Sequence, residues 1–280
     1  MMEKQLLTDK IEEWINRQPT PTAQSLDISV VVPAFNEQWR LPPTLIDMID
    51  YFESRQRSYE IIVVDDGSAD STSGMVKKFS RIRPNVKLLR VPENHGKGHA
   101  VRVGVLNSCG DKILIADADG ATPIEEVERL LRALEEGADF AIGSRAMQSS
   151  ETTVTTKWHR RYLGRLFNLT VNAVLLPGIA DTQCGFKLMV SPIAKFLFDA
   201  QASNGFSFDV EILYIARLAE IKIAEIPINW TNIPGSKVNL LIDAIKMLRD
   251  VFMFRFKHRR ISKATFEQFL LHSHQLQGRI

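Results

Sequence analysis

The residues best suited to chemistry in this chain are two aspartates one residue apart, in Lys112-Ile113-Leu114-Ile115-Ala116-Asp117-Ala118-Asp119-Gly120. The apolar run before them reads as a buried strand, so the carboxylates fall where that strand should end. In an open parallel sheet, ligands sit outside the carboxyl ends of the strands. A pair of hard oxygen donors there suits Mg2+ or Mn2+ bridging a diphosphate. The same spacing also occurs in strand-end Asx turns facing water, and the motif alone does not separate the two.

The elements that would position this pair recur along the first half of the chain. Residues 28–32 and 60–64 are nearly continuous apolar, largely β-branched runs, as strands buried on both faces require. Further strands are predicted at 86–91 and 139–142. Pro42-Pro43 opens a helix to about residue 55, and Asp70 or Ser71 caps a second to 82. A third follows Asn94-His95-Gly96-Lys97-Gly98 and ends near Gly110. Thr122-Pro123-Ile124-Glu125 combines a capping box with proline at the first helical position, and Gly137 stops that helix. This alternation predicts an α/β fold with a mostly parallel sheet flanked by helices.

Each predicted strand ends in polar punctuation: Asn36-Glu37, Asp65-Asp66, His95-Gly96-Lys97, Asp117/Asp119 and Arg145. Brought to one sheet edge, these clusters are what a nucleotide-sugar pocket needs. No G-x-G-x-x-G follows the first strand and no Walker loop occurs, which argues against a dinucleotide dehydrogenase or an NTPase.

The 280 residues suffice for one large domain with a full core, and 45% apolar with 24% charged residues is ordinary globular composition. A net charge of +2 argues against general nucleic-acid binding, so any basic function is local. Cys109 and Cys184 have neither metal spacing nor a disulfide framework, which fits a reducing cytosol. Residues 1–17 are mixed in charge without an apolar core, so no signal peptide is expected, and no apolar run is long enough to span a bilayer. The predicted organisation is an N-terminal helix and linker over 1–27, a main domain over 28–237, and amphipathic helices over 238–280.

Beyond residue 150 the texture changes. A Ser- and Thr-rich loop over 146–156 precedes Lys157-Trp158-His159-Arg160-Arg161-Tyr162-Leu163-Gly164-Arg165 and an apolar helix to Leu176. Asp181-Thr182-Gln183-Cys184-Gly185-Phe186-Lys187 follows, then helices opened by Ser191-Pro192 and by Phe208-Asp209-Val210-Glu211. A strand is predicted over 224–230, and Gly235-Ser236-Lys237 precedes a long helix to about residue 257.

Val31-Val32-Pro33-Ala34-Phe35-Asn36-Glu37, Val63-Val64-Asp65-Asp66-Gly67-Ser68 and Asp117-Ala118-Asp119-Gly120-Ala121-Thr122 resemble the inverting glycosyltransferases of family two, which have the Rossmann-like GT-A fold. The Asp181–Lys187 segment, Phe208-Asp209-Val210-Glu211, and Ile228-Asn229-Trp230 through Gly235-Ser236-Lys237 resemble the polyprenyl-phosphate branch, most nearly the members that glucosylate dolichyl phosphate. The resemblance covers about residues 28–257. It implies that Pro33, Asn36 and Glu37 line the nucleotide pocket, with Asp65 and Asp66 beside the base. Lys97 would approach the base or diphosphate, and Asp117 and Asp119 would hold the metal and sugar diphosphate. The donor implied is UDP-glucose, with Mg2+ or Mn2+.

Inverting transfer needs the leaving diphosphate stabilised, which a divalent cation at Asp119, with Asp117 nearby, supplies as a Lewis acid. A hydroxyl acceptor would also need a carboxylate base, for which Asp209 is the candidate, its other readings being a helix cap or, with the favoured phosphate acceptor, a structural anchor or sugar contact. A polyprenyl or dolichyl phosphate acceptor is already ionised and needs only cations to collect it. Arg145, Arg160, Arg161, Lys187 and Lys237, with Ser236, are the candidates for that task.

The long C-terminal helix carries Asn239, Asp243, Lys246 and Asp250 at three- to four-residue spacing, predicting one polar face. Leu240, Leu241, Ala244, Ile245, Leu248, Val251 and Phe252 form the opposite face, extended by Met247, Phe254 and Phe256 and followed by Lys257-His258-Arg259-Arg260. Such a stripe fits a packed helix, or an interfacial helix lying on anionic lipid. The stretch from Trp158 to Leu176 repeats the basic–apolar combination. The expectation is therefore a peripheral, monotopic enzyme on the cytoplasmic face of a membrane. The alternative is a soluble nucleotide-sugar transferase acting on a small hydroxyl acceptor.

Overall fold

The computed structural model describes residues 26–147, 149–155, 168–234 and 240–277, with backbone alone at 240–245 and 274–277. The predicted N-terminal helix and the candidate residues Arg160, Arg161, Ser236 and Lys237 lie outside the described residues.

The sheet grows from β1 (Ile28–Ala34), which pairs in parallel with β2 (Tyr59–Asp66) and β4 (Lys112–Ile115); β3 (Val86–Val91) extends it in parallel beyond β2. Every residue of β2 is buried, as its unbroken apolar run requires when helices cover both faces. The intervening helices are α1 (Leu41–Ser54), α2 (Thr72–Ile82), α3 (Lys97–Leu106) and α4 (Val127–Glu135). The second half adds β5 (Phe140–Ser144), the two-residue β6 (Val154–Thr155), a helix with residues 168–174, α5, and β7 (Lys187–Val190). Then come α6 (Ser191–Ala200), α7 (Phe208–Leu218), β8 (Ile223–Pro227), β9 (Trp230–Thr231), α8 (Leu240–Lys257) and α9 (Lys263–Gln277).

The seven-stranded order is β3-β2-β1-β4-β7-β5-β8, and β7 alone of the described strands runs antiparallel to both neighbours. That strand is absent from the sequence reading, because Lys187-Leu188-Met189-Val190 is too short to show a period before the Ser191-Pro192 helix start. It matters for the site: antiparallel pairing sets Lys187 beside Ile115, so the loop before β7 arrives where β4 ends.

Two other local expectations change. Thr122–Glu125 forms no capping box: Pro123 is extended (φ −57°, ψ 141°), a 3-10 turn spans Ile124–Glu126, and no side chain caps it. Glu126, not Glu125, turns inward, to accept a bond from Asn229 Nδ2 (2.6 Å). The strand expected over 224–230 divides into β8 and β9, the latter pairing with β6 outside the main sheet.

Side chains from β1, β2, α1 and α4 fill the core on one face of the sheet, and α3, α6, α7 and α8 fill the other. In α8, Met247, Val251 and Phe254 are buried, whereas Phe252, Met253 and Phe256 are 54%, 54% and 77% exposed. Of the expected polar face, Lys246 is exposed while Asp250 is half-buried, its Oδ2 accepting from Ser207 Oγ at the start of α7 (2.6 Å); the side chains of Asn239 and Asp243 lie outside the described residues. The apolar stripe splits into a packed side and a bare side.

Helix α3 lies unusually close to the sheet at Gly104, where an added Cβ would overlap Val31 Cγ1 and fall 3.0 Å from Val64 Cγ2. Alanine gains up to ~1 kcal/mol of helix propensity over glycine, but overpacking a core costs about 1–3 kcal/mol. Gly104→Ala is therefore expected to lower the unfolding free energy in a denaturant titration, although alanine is the better helix former.

Candidate active site

The loops after β1 and β2 are knitted together before any ligand arrives. Asn36 adopts φ 53°, a conformation its short polar side chain tolerates. Its Oδ1 accepts from the amides of Ala69 (2.9 Å) and Asp70 (3.3 Å), while its own amide donates to Ser68 Oγ (2.8 Å). Asp65 and Asp66, expected to meet the base, are buried and turn their carboxylates to the protein. Asp65 accepts from the Ser68 amide (3.0 Å) and the Ser73 hydroxyl; Asp66 accepts from the amides of His95 (3.1 Å) and Gly96 (2.7 Å). Both hold the loops beyond β2 and β3 in place, because a buried carboxylate is stable only when its oxygens are hydrogen-bonded. Pro33 lies half-buried near the end of β1.

Asp117 and Asp119 stand just past β4, as the strand reading requires. Lys97 Nζ, from the first turn of α3, lies 2.6 Å from Asp117 Oδ1. Arg40 Nη1 lies 3.7 Å from Asp119 Oδ2, and Arg40 is gripped through Nε (2.7 Å) and Nη2 (2.5 Å) by the buried Glu37. Glu37 is thus a support for Arg40, rather than a group offered directly to a nucleotide. Burial pushes the Asp117 carboxyl up, but Lys97, with Lys187 and Arg145 contributing, holds it below the ordinary carboxylate range. Asp119 goes the other way, raised by burial and by the neighbouring charge of Asp117. Two carboxylates that repel each other on a cation-lined edge are the electrostatic setting in which a divalent ion is favourable.

The second half of the chain closes this edge from the side. Because β7 is antiparallel, Gly185 lies against Asp117, and a Cβ at Gly185 would overlap both carboxylate oxygens. Asp181, in the same loop, takes Arg145 in a two-pronged pair (Nε–Oδ2 2.7 Å, Nη2–Oδ1 2.9 Å) and also accepts from the Arg145 amide (3.0 Å). Glu225 on β8 anchors the loop by accepting from the amides of Ala180 (2.8 Å) and Asp181 (2.7 Å). The Arg145 guanidinium sits 5.5 Å from the centre of the Trp230 ring.

Lys187 requires correction, and of the readings of Asp209 the structure favours the structural anchor. Lys187 is fully buried, with Nζ 2.5 Å from Asp209 Oδ1 and bonded to the Cys184 carbonyl, so it cannot collect an acceptor phosphate at the surface. Its partner Asp209 is 4% exposed, in the first turn of α7 behind Ser207, and is neither the cap nor an accessible base. The pair is an internal strut between β7 and α7, adding charge near Asp117 without touching solvent.

The structure thus brings Lys97, Asp117, Asp119 and Arg145 into mutual electrostatic reach and sets Lys187 and Asp209 beneath them. Arg40, Gly185 and Glu225 are contributors the sequence reading did not single out. Gly185 was the visible one, a glycine inside an otherwise bulky motif; Glu225 carries no local signal, since Ala180 and Asp181 lie far along the chain, and Arg40, though paired locally with Glu37, meets Asp119 only through the fold.

An open sheet with its carboxylates and cations gathered past the strand ends defines an α/β transferase of the GT-A type. Among solved structures, glucosyl-3-phosphoglycerate synthase from Mycobacterium tuberculosis, in complex with Mn2+, UDP-glucose and phosphoglyceric acid, superposes with a TM-score of 0.62. That match covers 86% of this chain and 87% of the other at 19% identity, and it speaks to the fold. Residues 29–198 match the glycosyl transferase family 2 model. The dolichyl-phosphate beta-glucosyltransferase of Mus musculus is 40% identical over 252 residues, covering 85% of this chain and 77% of the relative. That of Saccharomyces cerevisiae is 36% identical over 250 residues, covering 83% and 75%. The chain belongs to glycosyl transferase family 2 and is a glycosyltransferase.

Replacing Gly185 tests the seat of Asp117. A displacement of about 1 Å near reacting groups can cost on the order of 100-fold in rate. Gly185→Ala is expected to lower kcat/KM by roughly that factor while circular dichroism shows the fold retained.

Proposed function

We propose that the chain transfers a glucosyl residue from UDP-glucose to a dolichyl or other polyprenyl phosphate, with Mn2+ or Mg2+ held at Asp117 and Asp119. The observation that carries this reading is the convergence of two mutually repelling carboxylates and three flanking cations, Arg40, Lys97 and Arg145, on one sheet edge. Similarity of about 40% to dolichyl-phosphate glucosyltransferases supports the sugar and acceptor class.

The residues present fit a divalent metal of this kind. Aspartate oxygens are the hard donors Mg2+ and Mn2+ prefer, and among the described residues no group of three or more His, Cys, Asp or Glu forms a closed cage. A shell left incomplete by protein is what a metal shared with a diphosphate needs. When bound, it supplies Lewis-acid stabilisation of the leaving diphosphate. Lys97 orients Asp117 and contributes positive charge beside it. Arg40, fixed by Glu37, does the same at Asp119.

A lipid phosphate carries its own nucleophilic charge, so the burial of Asp209 away from solvent is no obstacle to transfer. Arg145 is the described cation suited to collecting that phosphate: Asp181 holds two of its nitrogens, Nε and Nη2, which fixes the plane of the guanidinium. Lys237, Ser236, Arg160 and Arg161 complete the proposed acceptor set in segments outside the described residues.

Among the described residues, no helix is long and apolar enough to cross a membrane. We place the enzyme peripherally, on the cytoplasmic face, through the bare side of α8. Phe252, Met253 and Phe256 project there among the exposed Arg249, Arg255 and Lys257, the pairing of apolar and basic groups that an anionic lipid surface favours.

Two measurements test these readings. UDP-glucose with Mn2+ should raise the thermal midpoint of the wild-type protein, since a ligand binding only the native state stabilises it. Asp119→Ala should remove that shift and abolish glucosyl transfer to dolichyl phosphate while leaving the unliganded midpoint close to wild type; retained transfer would exclude the metal-site reading. In vesicle flotation with anionic lipid, the double substitution Phe252→Ser/Phe256→Ser should weaken binding on the order of tenfold or more, from the lost apolar burial. Full activity of the wild type on phosphoglycerate, without vesicle binding, would favour a small soluble acceptor instead.

A further inference from the structure

Glu211 belongs to a motif that the proposed chemistry leaves unused, yet it is fully buried. Its Oε2 accepts from two successive amides, Ser203 (2.7 Å) and Ala202 (3.2 Å), at the turn between α6 and α7. Its Oε1 lies 2.7 Å from Nε2 of His258, which is 4% exposed just past the end of α8. A second tie runs parallel: Ser207 Oγ is 2.8 Å from Ser203 Oγ and donates to Asp250 Oδ2 on α8. Two links from one helix therefore hold the 202–207 turn.

That turn is the surface on which the Lys97 segment rests. Asn204 accepts from the His99 amide (3.2 Å), and Gln201 Nε2 donates to the Gly98 carbonyl (3.1 Å) and to Ser203 O (2.5 Å). Gly96 and Gly98 are needed on both sides of Lys97. A Cβ at Gly96 would fall 2.5 Å from Asn204 O, and one at Gly98 would overlap Ser203 O and fall 2.8 Å from Phe208 Cβ. Lys97 then runs over the Phe208 ring, 5.9 Å from its centre, to reach Asp117.

We infer that Glu211, braced by His258, is a positioning residue: it fixes the 202–205 backbone that seats Gly96-Lys97-Gly98 and so aims Lys97 at Asp117 on the donor side. Its anchor is the inner side of α8, whose outer side carries Phe252, Met253 and Phe256. The assignment rests on the reading of Lys97 and Asp117 as the donor site. A buried carboxylate holding two amides of the turn after α6 serves geometry better than proton transfer, because both amides need a fixed acceptor.

The test is steady-state kinetics on the full-length enzyme with UDP-glucose varied, together with thermal midpoints. Glu211→Ala and Gly98→Ala should each raise the UDP-glucose KM on the order of tenfold with kcat changed little, the signature of lost ground-state binding. Glu211→Gln should recover most of the KM, since its amide oxygen can still accept from Ser203. The Glu211→Ala/Gly98→Ala double variant should raise KM by less than the product of the single effects, because both act through one turn. A lowered thermal midpoint with KM unchanged in every variant, or effects that simply multiply, would overturn the assignment. Absence of any UDP-glucose-induced thermal shift in the wild type would instead overturn the donor reading, and this assignment with it.

Discussion

The site depends on bare backbone lying against the Asp117 carboxylate. Gly185 can come that close only because it has no side chain and because β7 runs against its neighbours. A parallel strand in the same slot would have delivered its preceding loop to the opposite end of the sheet. The reversed strand thus gives the polar edge two sources, the loops that follow the parallel strands and the one loop that precedes β7. Asp181 and Cys184 come with it, and Asp181 takes hold of Arg145 at the end of β5, which is how residues far apart in sequence come to surround two aspartates.

Charge at this edge is arranged in shells rather than scattered. Of the three outer cations, Lys97 pairs with Asp117 itself, and the other two are each oriented by a carboxylate of their own: Arg40 by Glu37, Arg145 by Asp181. Below them the Lys187–Asp209 pair is fully enclosed, an arrangement in which removing one partner would leave an uncompensated buried charge. Asp65 and Asp66 are likewise enclosed, their negative charge offset by amide dipoles. The result is that few side chains are available to a ligand, and those few are held in fixed orientations.

Most of the parallel half of the fold was legible in sequence, because β1 and β2 are nearly unbroken apolar runs and α1 opens at Pro42-Pro43, although none of its four helices carries a side-chain cap hydrogen bond. The Asp117/Asp119 edge was legible for the same reason: strand ends in such sheets carry function. Three features were not. The four-residue β7 has no period to detect. The roles of Lys187 and Asp209 turned on burial, which a basic residue after a glycine motif does not announce. The bond from Ser207 to Asp250 spans 43 positions, so helical spacing grouped Asp250 with its face without revealing its partner. Spacing reports which residues share a face; it does not report what lies opposite that face.

The small β6–β9 ladder has a mechanical consequence. Trp230 and Asn232 amides bond to the carbonyls of Thr153 and Thr155 (both 3.0 Å), and the Thr231 amide bonds to Ala121 just beyond the aspartate pair (2.8 Å). At ~0.5–1.5 kcal/mol net apiece, three such bonds are a light latch beside a seven-stranded sheet. Its effect is positional: the ladder fastens Trp230, whose ring lies 5.5 Å from the Arg145 guanidinium, to the backbone two residues past Asp119, so the rim and the carboxylates share one anchor.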